Sequence, residues 1–148
     1  MKKTLWDDSA RRDLKDRLGN LQANSHARWG KFNAPQMLIH VVSAMRMANG
    51  EITAASRNLP IRYTPIKQLV IYWLPFPKSA PTAPELLNRD PGEWAEGLSR
   101  LRAQIDTFAS RDPKAPWPIH PAFGTMTPKA WGVLGYRHID HHLKQFGV

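Results

Sequence analysis

The sequence predicts an all-α protein: a four-helix bundle with a short extra helix in the long crossover between its second and third long helices. Three observations lead there. Apolar residues recur at spacings of three and four in four long segments, the period of an amphipathic helix. Helix-start signals stand at Asn33, at Asp90 and at Thr127-Pro128. Sustained period-two alternation is found nowhere, so strand content should be near zero.

The first helix should run from about Asp8 to Gln22, with Ala10, Leu14, Leu18 and Leu21 as its buried stripe and Asp7 or Asp8 as its cap. Asn33, Pro35 and Gln36 open the second, because an Asn cap, a first-turn proline and a Gln three residues on satisfy the orphan amides of a helix start. It should end near Asn49-Gly50, burying Met37, His40, Val41, Ala44 and Ala48 while Arg46 points elsewhere. From Gly50 to about Asp90 the chain is proline-rich, holding one short apolar helix between Thr64-Pro65 and Leu74-Pro75; the proline-studded tail from Pro75 to Pro84 should be irregular. Asp90 and Glu93 around Pro91 read as a capping box for the third long helix, whose stripe is Trp94, Leu98, Leu101, Ile105 and Phe108 and whose end lies near Ser110. A second proline-rich link, Pro113 to Gly124, leads to the last helix, which Thr127-Pro128 starts and Gly147 stops.

At 148 residues the chain is expected to form a single domain, long enough to fold without a metal or disulfide as a staple. No apolar run approaches the roughly 18 residues of a membrane span. The N-terminus turns acidic at Asp7-Asp8 where a signal peptide needs its apolar stretch, so a cytoplasmic protein is expected. With no cysteine, disulfides, thiolate metal sites and cysteine nucleophiles are excluded. The net charge of +9 suits an anion binder, yet the cations are dispersed and form no like-charge run. A solvated basic surface is the better reading than a nucleic-acid site.

The histidines carry the functional signal. His138 and His142 are one turn apart on the last helix, roughly 40° apart on the wheel, the i, i+4 spacing at which two imidazoles grip one divalent ion. His141 falls off that line and Asp140 points to the far side. His40 sits on the inward stripe of the second helix, which a bundle can bring opposite the inward face of the last. Three inward imidazoles must be satisfied, and one ion does so at a single point. Zinc and nickel suit imidazole best, ahead of iron and manganese. Gln145, a backbone carbonyl or a carboxylate would serve as the outer acceptor. Tyr136 and His141, near the ligands, are read first as packing and as a surface or dimer contact, and second as proton donors or substrate contacts. His120 and Phe123 are read as loop anchors before pocket residues, and Trp29, Trp94 and Trp131 as core.

Met37-Leu38-Ile39-His40 in an N-capped second helix, with His138-x-x-His141-His142-x-x-Gln145 in the last, resembles the DinB-like (YfiT-like) superfamily of four-helix metalloenzymes. His120-Pro121-x-Phe123-Gly124 and His142-Leu143-Lys144-Gln145-Phe146-Gly147 resemble a bacterial branch of it, and the resemblance covers nearly the whole chain. It implies an up-up-down-down style bundle, a three-histidine metal site at His40, His138 and His142, frequent dimers, and chemistry such as S-transfer from low-molecular-weight thiols or maleylpyruvate isomerisation. The long middle connection departs from the family pattern, so a relative's pocket does not transfer. A homodimer is expected through the aromatic-rich segment from Tyr63 to Phe76. The alternatives are a metal-binding or stress-response protein without turnover and, behind it, a basic nucleic-acid module.

Overall fold

The computed structural model describes residues 2–78 and 92–148. Within them lie α1 (Asp8–Leu18), α2 (Ala34–Ala48), α3 (Ile66–Tyr72), α4 (Trp94–Ser110) and α5 (Pro128–Gln145), with a 3-10 turn at Pro60–Arg62 before α3. No strand occurs among the described residues; a single bridge pairs His120 with Gly124. The chain is therefore an all-α bundle. No described helix is long and apolar enough to cross a membrane.

Local signals explain most helix ends. At α2 the Asn33 side chain accepts from the Gln36 amide while the Gln36 side chain accepts from the Asn33 amide, the reciprocal bonds of a capping box. At α5 the Thr127 hydroxyl accepts from the Ala130 amide, and Gly147, at φ 82°, ends the turn that follows the helix. Two expectations need correction. Helix α1 stops at Leu18 rather than Gln22, because Gly19-Asn20 is a poor continuation; Leu21 still reaches the core, from the turn beyond. Asp7 stands at the N-cap without a side-chain cap bond, and Asp8 is inside the helix.

Helix α4 begins at Trp94, and Glu93 is its extended N-cap residue with no side-chain cap bond, not the third residue of a capping box. Gly92 at φ 64° explains this, since a left-handed residue there cannot be part of a right-handed helix. Asp90 and Pro91 lie outside the described residues, as does the 79–84 part of the irregular tail; residues 75–78 are indeed neither helix nor strand.

Helix α2 packs against α4 and α5, and so does α1, which closes the four long helices into a ring with α3 added on the α5 side. Leu14, Leu18, Met37, Val41, Leu101, Ile105, Phe108, Ile139 and Leu143 fill the interior. Gly97 lets α4 approach Leu38 so closely that a Cβ there would lie 2.8 Å from Leu38 Cδ2. Periodicity does not reveal that the segment before α1 enters the core: Leu5 is fully buried, its amide donating to the Gly132 carbonyl at 3.0 Å. Of the tryptophans assigned to the core, only Trp131 is buried. Trp29 and Trp94 are half-buried, the first in the loop before α2 and the second at the first residue of α4. On α3 only Ile71 is buried, leaving Ile66 and Leu69, with Trp73 just beyond the helix, exposed.

Candidate metal centre

Helix α2 is apolar on nearly every side and packs between α4 and α5, carrying His40 to 5% exposure. From α5, His142 reaches 8% exposure and His138 is half-buried, so the cluster's accessible side is at His138. The three side chains converge through their Nε2 atoms. His40 Nε2 is 2.9 Å from His138 Nε2, and His138 Nε2 is 3.2 Å from His142 Nε2. The ring planes stand nearly perpendicular to one another. Among the described residues these three, and no carboxylate, form the group that could hold an ion.

The hydrogen-bond network assigns one tautomer. Gln145, 3% exposed, faces the Trp29 carbonyl at 2.9 Å and His142 Nδ1 at 2.7 Å. A carbonyl only accepts, so the Gln145 Nε2 must face Trp29 and its Oε1 must face the histidine. His142 therefore donates from Nδ1–H and keeps an unprotonated Nε2 pointing into the cluster.

That assignment provides the test of fit. His138 Nε2 carries at most one proton, which cannot lie along both short approaches. If His40 donates instead, the nitrogens of His138 and His142 face each other as lone pairs. A divalent cation accepts all three lone pairs at once. At ligand distances of about 2.0–2.1 Å, nitrogens 2.9 and 3.2 Å apart subtend roughly 90° and 100° at the ion, angles ordinary for octahedral and tetrahedral centres. The residues fit the group.

Electrostatics keeps the imidazoles neutral, the form that binds metal. Burial pushes His40 down to about 3 and His142 down to about 4, with smaller effects from neighbouring imidazoles. Burial likewise carries His138 well below its ordinary value, helped by His142 and His40. His40 Nδ1 is buried without a partner.

Aromatic walls flank the cluster, and sequence periodicity does not show them because all three come from loops. Phe32 lies 5.3 Å from His40 and 6.0 Å from His142 between ring centroids, and Phe76 lies 6.4 Å from His138. Phe76 is held by Arg137, whose guanidinium stacks 4.7 Å over it while donating to the carbonyls of Val70, Ile71 and Leu74 at the end of α3. Trp29 completes the wall, 5.6 Å from His141. His141 itself stays outside the cluster, half-buried between Trp29 and Phe76. Tyr136 faces away: its hydroxyl donates to Asp13 of α1 at 3.3 Å and Lys3 covers its ring, so it packs and does not serve the histidines. His120 Nδ1 accepts from the amides of Ala122 and Phe123 at 3.0 and 3.1 Å, anchoring its loop.

Over residues 8–147 the sequence matches the family described as Protein of unknown function (DUF1569). The chain belongs to that family. Comparison of this DUF1569 chain with curated proteins and with solved structures gives no match. The match spans every helix described above, and both helices that carry the three histidines lie inside it.

Proposed function

We propose that this DUF1569 chain is a metal-binding bundle of the DinB-like superfamily, holding one divalent ion, zinc or nickel ahead of iron or manganese, at His40, His138 and His142. The observation that carries the reading is the convergence of three Nε2 atoms, one of them necessarily unprotonated, with no carboxylate among them. Neutral ligands leave the ion its full positive charge, so that it polarises or deprotonates a water, thiol or oxygen bound at an open position. The chain's own residues supply the rest. Gln145 orients His142, and Phe32 and Phe76 limit water around the rings. The half-buried side of His138 is the direction of entry. The reaction class proposed is small-molecule transfer or isomerisation, with a low-molecular-weight thiol as substrate, in a cytoplasmic homodimer joined through the exposed face of α3.

One observation favours the alternative of metal binding without turnover: the cavity bordering His138 measures about 40 Å³, too small for more than a few water molecules. Turnover of any of several low-molecular-weight thiols by metal-loaded protein separates the two.

Metal content of the purified chain and of four variants tests the site. We expect one ion per chain in the parent and in His141→Ala, and loss of the ion in His40→Ala, His138→Ala and His142→Ala. Retention in His40→Ala with loss in His141→Ala overturns the assignment.

A further inference from the structure

The cavity under His138 lies one helical turn below the histidine cluster, between α2 and α5, and has a second polar side. Its walls are Ala44, Met45, Met47 and Ala48 from α2, Trp131, Leu134, Gly135 and His138 from α5, and His120 from the loop before α5. Most of this surface is apolar. The exceptions are three side chains that present N–H groups.

His120 is the best defined. Both amides it meets are donors, so Nδ1 must be unprotonated and the proton of the neutral ring must sit on Nε2. No described residue accepts a hydrogen bond from that Nε2–H. The ring does not swing freely to find one. His120 and Gly124 exchange two backbone hydrogen bonds of 2.9 Å, Gly124 takes φ 68°, and the loop is tied down by Arg57 and Arg62 donating to the Pro121 carbonyl at 2.7 and 3.2 Å. Trp131 is the second. Its ring centroid is 5.4 Å from that of His120, and its Nε1–H is buried with no partner. His138 is the third: with Nε2 committed to the cluster, its other nitrogen is the one that carries a proton in the metal-ligating form.

A buried donor without an acceptor, as Trp131 Nε1–H is here, costs a large part of its desolvation energy, and native proteins rarely tolerate one. The cavity is large enough for water, which needs about 10–15 Å³ of such space and two or more polar partners. We propose that the cavity is a built oxygen-acceptor site, in which one water receives hydrogen bonds from His120 Nε2–H and Trp131 Nε1–H and donates to a second water, which also receives the outer N–H of His138; the cavity has room for both. His120 is thus a positioning residue, supporting His138 through this pair of waters, whereas Gln145 supports His142 directly. Burial, with Arg62 and Lys67 nearby, pushes His120 down to about 4, so it stays a neutral donor across the physiological range.

The role of His120 toward the metal rests on the function proposed above, whereas the oxygen site itself does not, and two measurements keep them apart. In metal-free protein, nitrogen-15 spectra of the imidazole rings should show His120 as the Nε2–H tautomer, with slowly exchanging His120 Hε2 and Trp131 Hε1 protons that give cross-peaks to a long-lived water. An Nδ1–H tautomer, or absence of water cross-peaks from both protons, overturns the site whether or not metal binds. The second measurement uses cobalt(II) and the variant His120→Asn, whose side-chain oxygen keeps the Nδ1 role toward Ala122 and Phe123 but cannot reach into the cavity. Cobalt affinity should fall about tenfold and the visible bands should shift, while the melting temperature stays near that of the parent. His120→Gln should keep the cavity donor at the cost of the loop anchor, preserving the cobalt spectrum in a less stable chain. Unchanged cobalt affinity and spectrum in His120→Asn overturn the link to His138. A parent that binds no cobalt, with the water cross-peaks present, removes the metal reading and leaves the oxygen site standing.

Discussion

Replacing Gln145 by Leu isolates the contribution of the residue that orients a ligand without being one. The side chain is 3% exposed and spans two partners, with Oε1 2.7 Å from His142 Nδ1 and Nε2 2.9 Å from the Trp29 carbonyl. Leu fills nearly the same volume, so the change is mainly the loss of two hydrogen bonds. Each leaves a buried polar group unpaired at about 1–3 kcal/mol, or about 2–6 kcal/mol for the metal-free chain, partly offset by the added apolar burial. Against a domain stability of about 5–15 kcal/mol the variant still folds. Metal binding suffers separately, because His142 is no longer held as the Nδ1–H tautomer; the expected loss is about 10- to 100-fold in zinc affinity. Gln145→Glu provides the contrast. Its carboxylate still accepts from His142 Nδ1–H but faces the Trp29 carbonyl oxygen, so stability should fall while zinc affinity is kept. Urea unfolding of the metal-free proteins and chelator competition for zinc read the two quantities independently. Parental zinc affinity in Gln145→Leu, or equal loss of affinity in Gln145→Glu, would refute the argument from tautomer and orientation.

Further expectations concern backbone space and proton linkage. A Cβ at Gly30 would lie 2.7 Å from Gln145 Nε2, on a backbone at φ 79°, so Gly30→Ala should reproduce the weakened zinc affinity of Gln145→Leu without touching either ring; chelator competition checks it. Gly132→Ala would drive a methyl group into Thr4 and Trp6 and should cost a few kcal/mol, seen as a lower urea midpoint with the histidine cluster unaltered. Acid should unfold the metal-free protein early. His40 is held down to about 3, His120 and His142 to about 4, and His138 is also held low, all against about 6.5 in the unfolded chain. Below about pH 6.5 the unfolded state therefore takes up protons that the folded state refuses. Stability is full above that pH and is lost as pH falls toward about 4, by up to about 1.4 kcal/mol per pH unit for each histidine. Urea midpoints that stay flat between pH 7 and 5 would exclude this.

How much of the protein was legible before folding depended on whether the signal was local. The starts of α2 and α5 were, because Asn33 with Gln36, and Thr127 with the Ala130 amide, close their bonds within one turn. The start of α4 was not: Glu93 has the chemistry of a capping box, but the left-handed Gly92 just before it decides that the helix begins at Trp94. The i, i+4 pair on α5 belongs to the helix period itself, so His138 and His142 announced themselves as one face. That His40 comes within 2.9 Å of His138, and that His141 and Tyr136 stay outside the cluster, is decided by how α2 and α5 pack against each other in the ring of helices. The tautomer of His142 needs Trp29, more than a hundred residues away in sequence from Gln145, and the walls need Phe32 and Phe76, carried by loops with no period to read. Composition and periodicity settle which side chains are available, the helices that carry them and the neutral, thiolate-free donor set. The tertiary structure alone decided which donors share a point and which tautomer they hold, because those depend on distances between segments that no local pattern encodes.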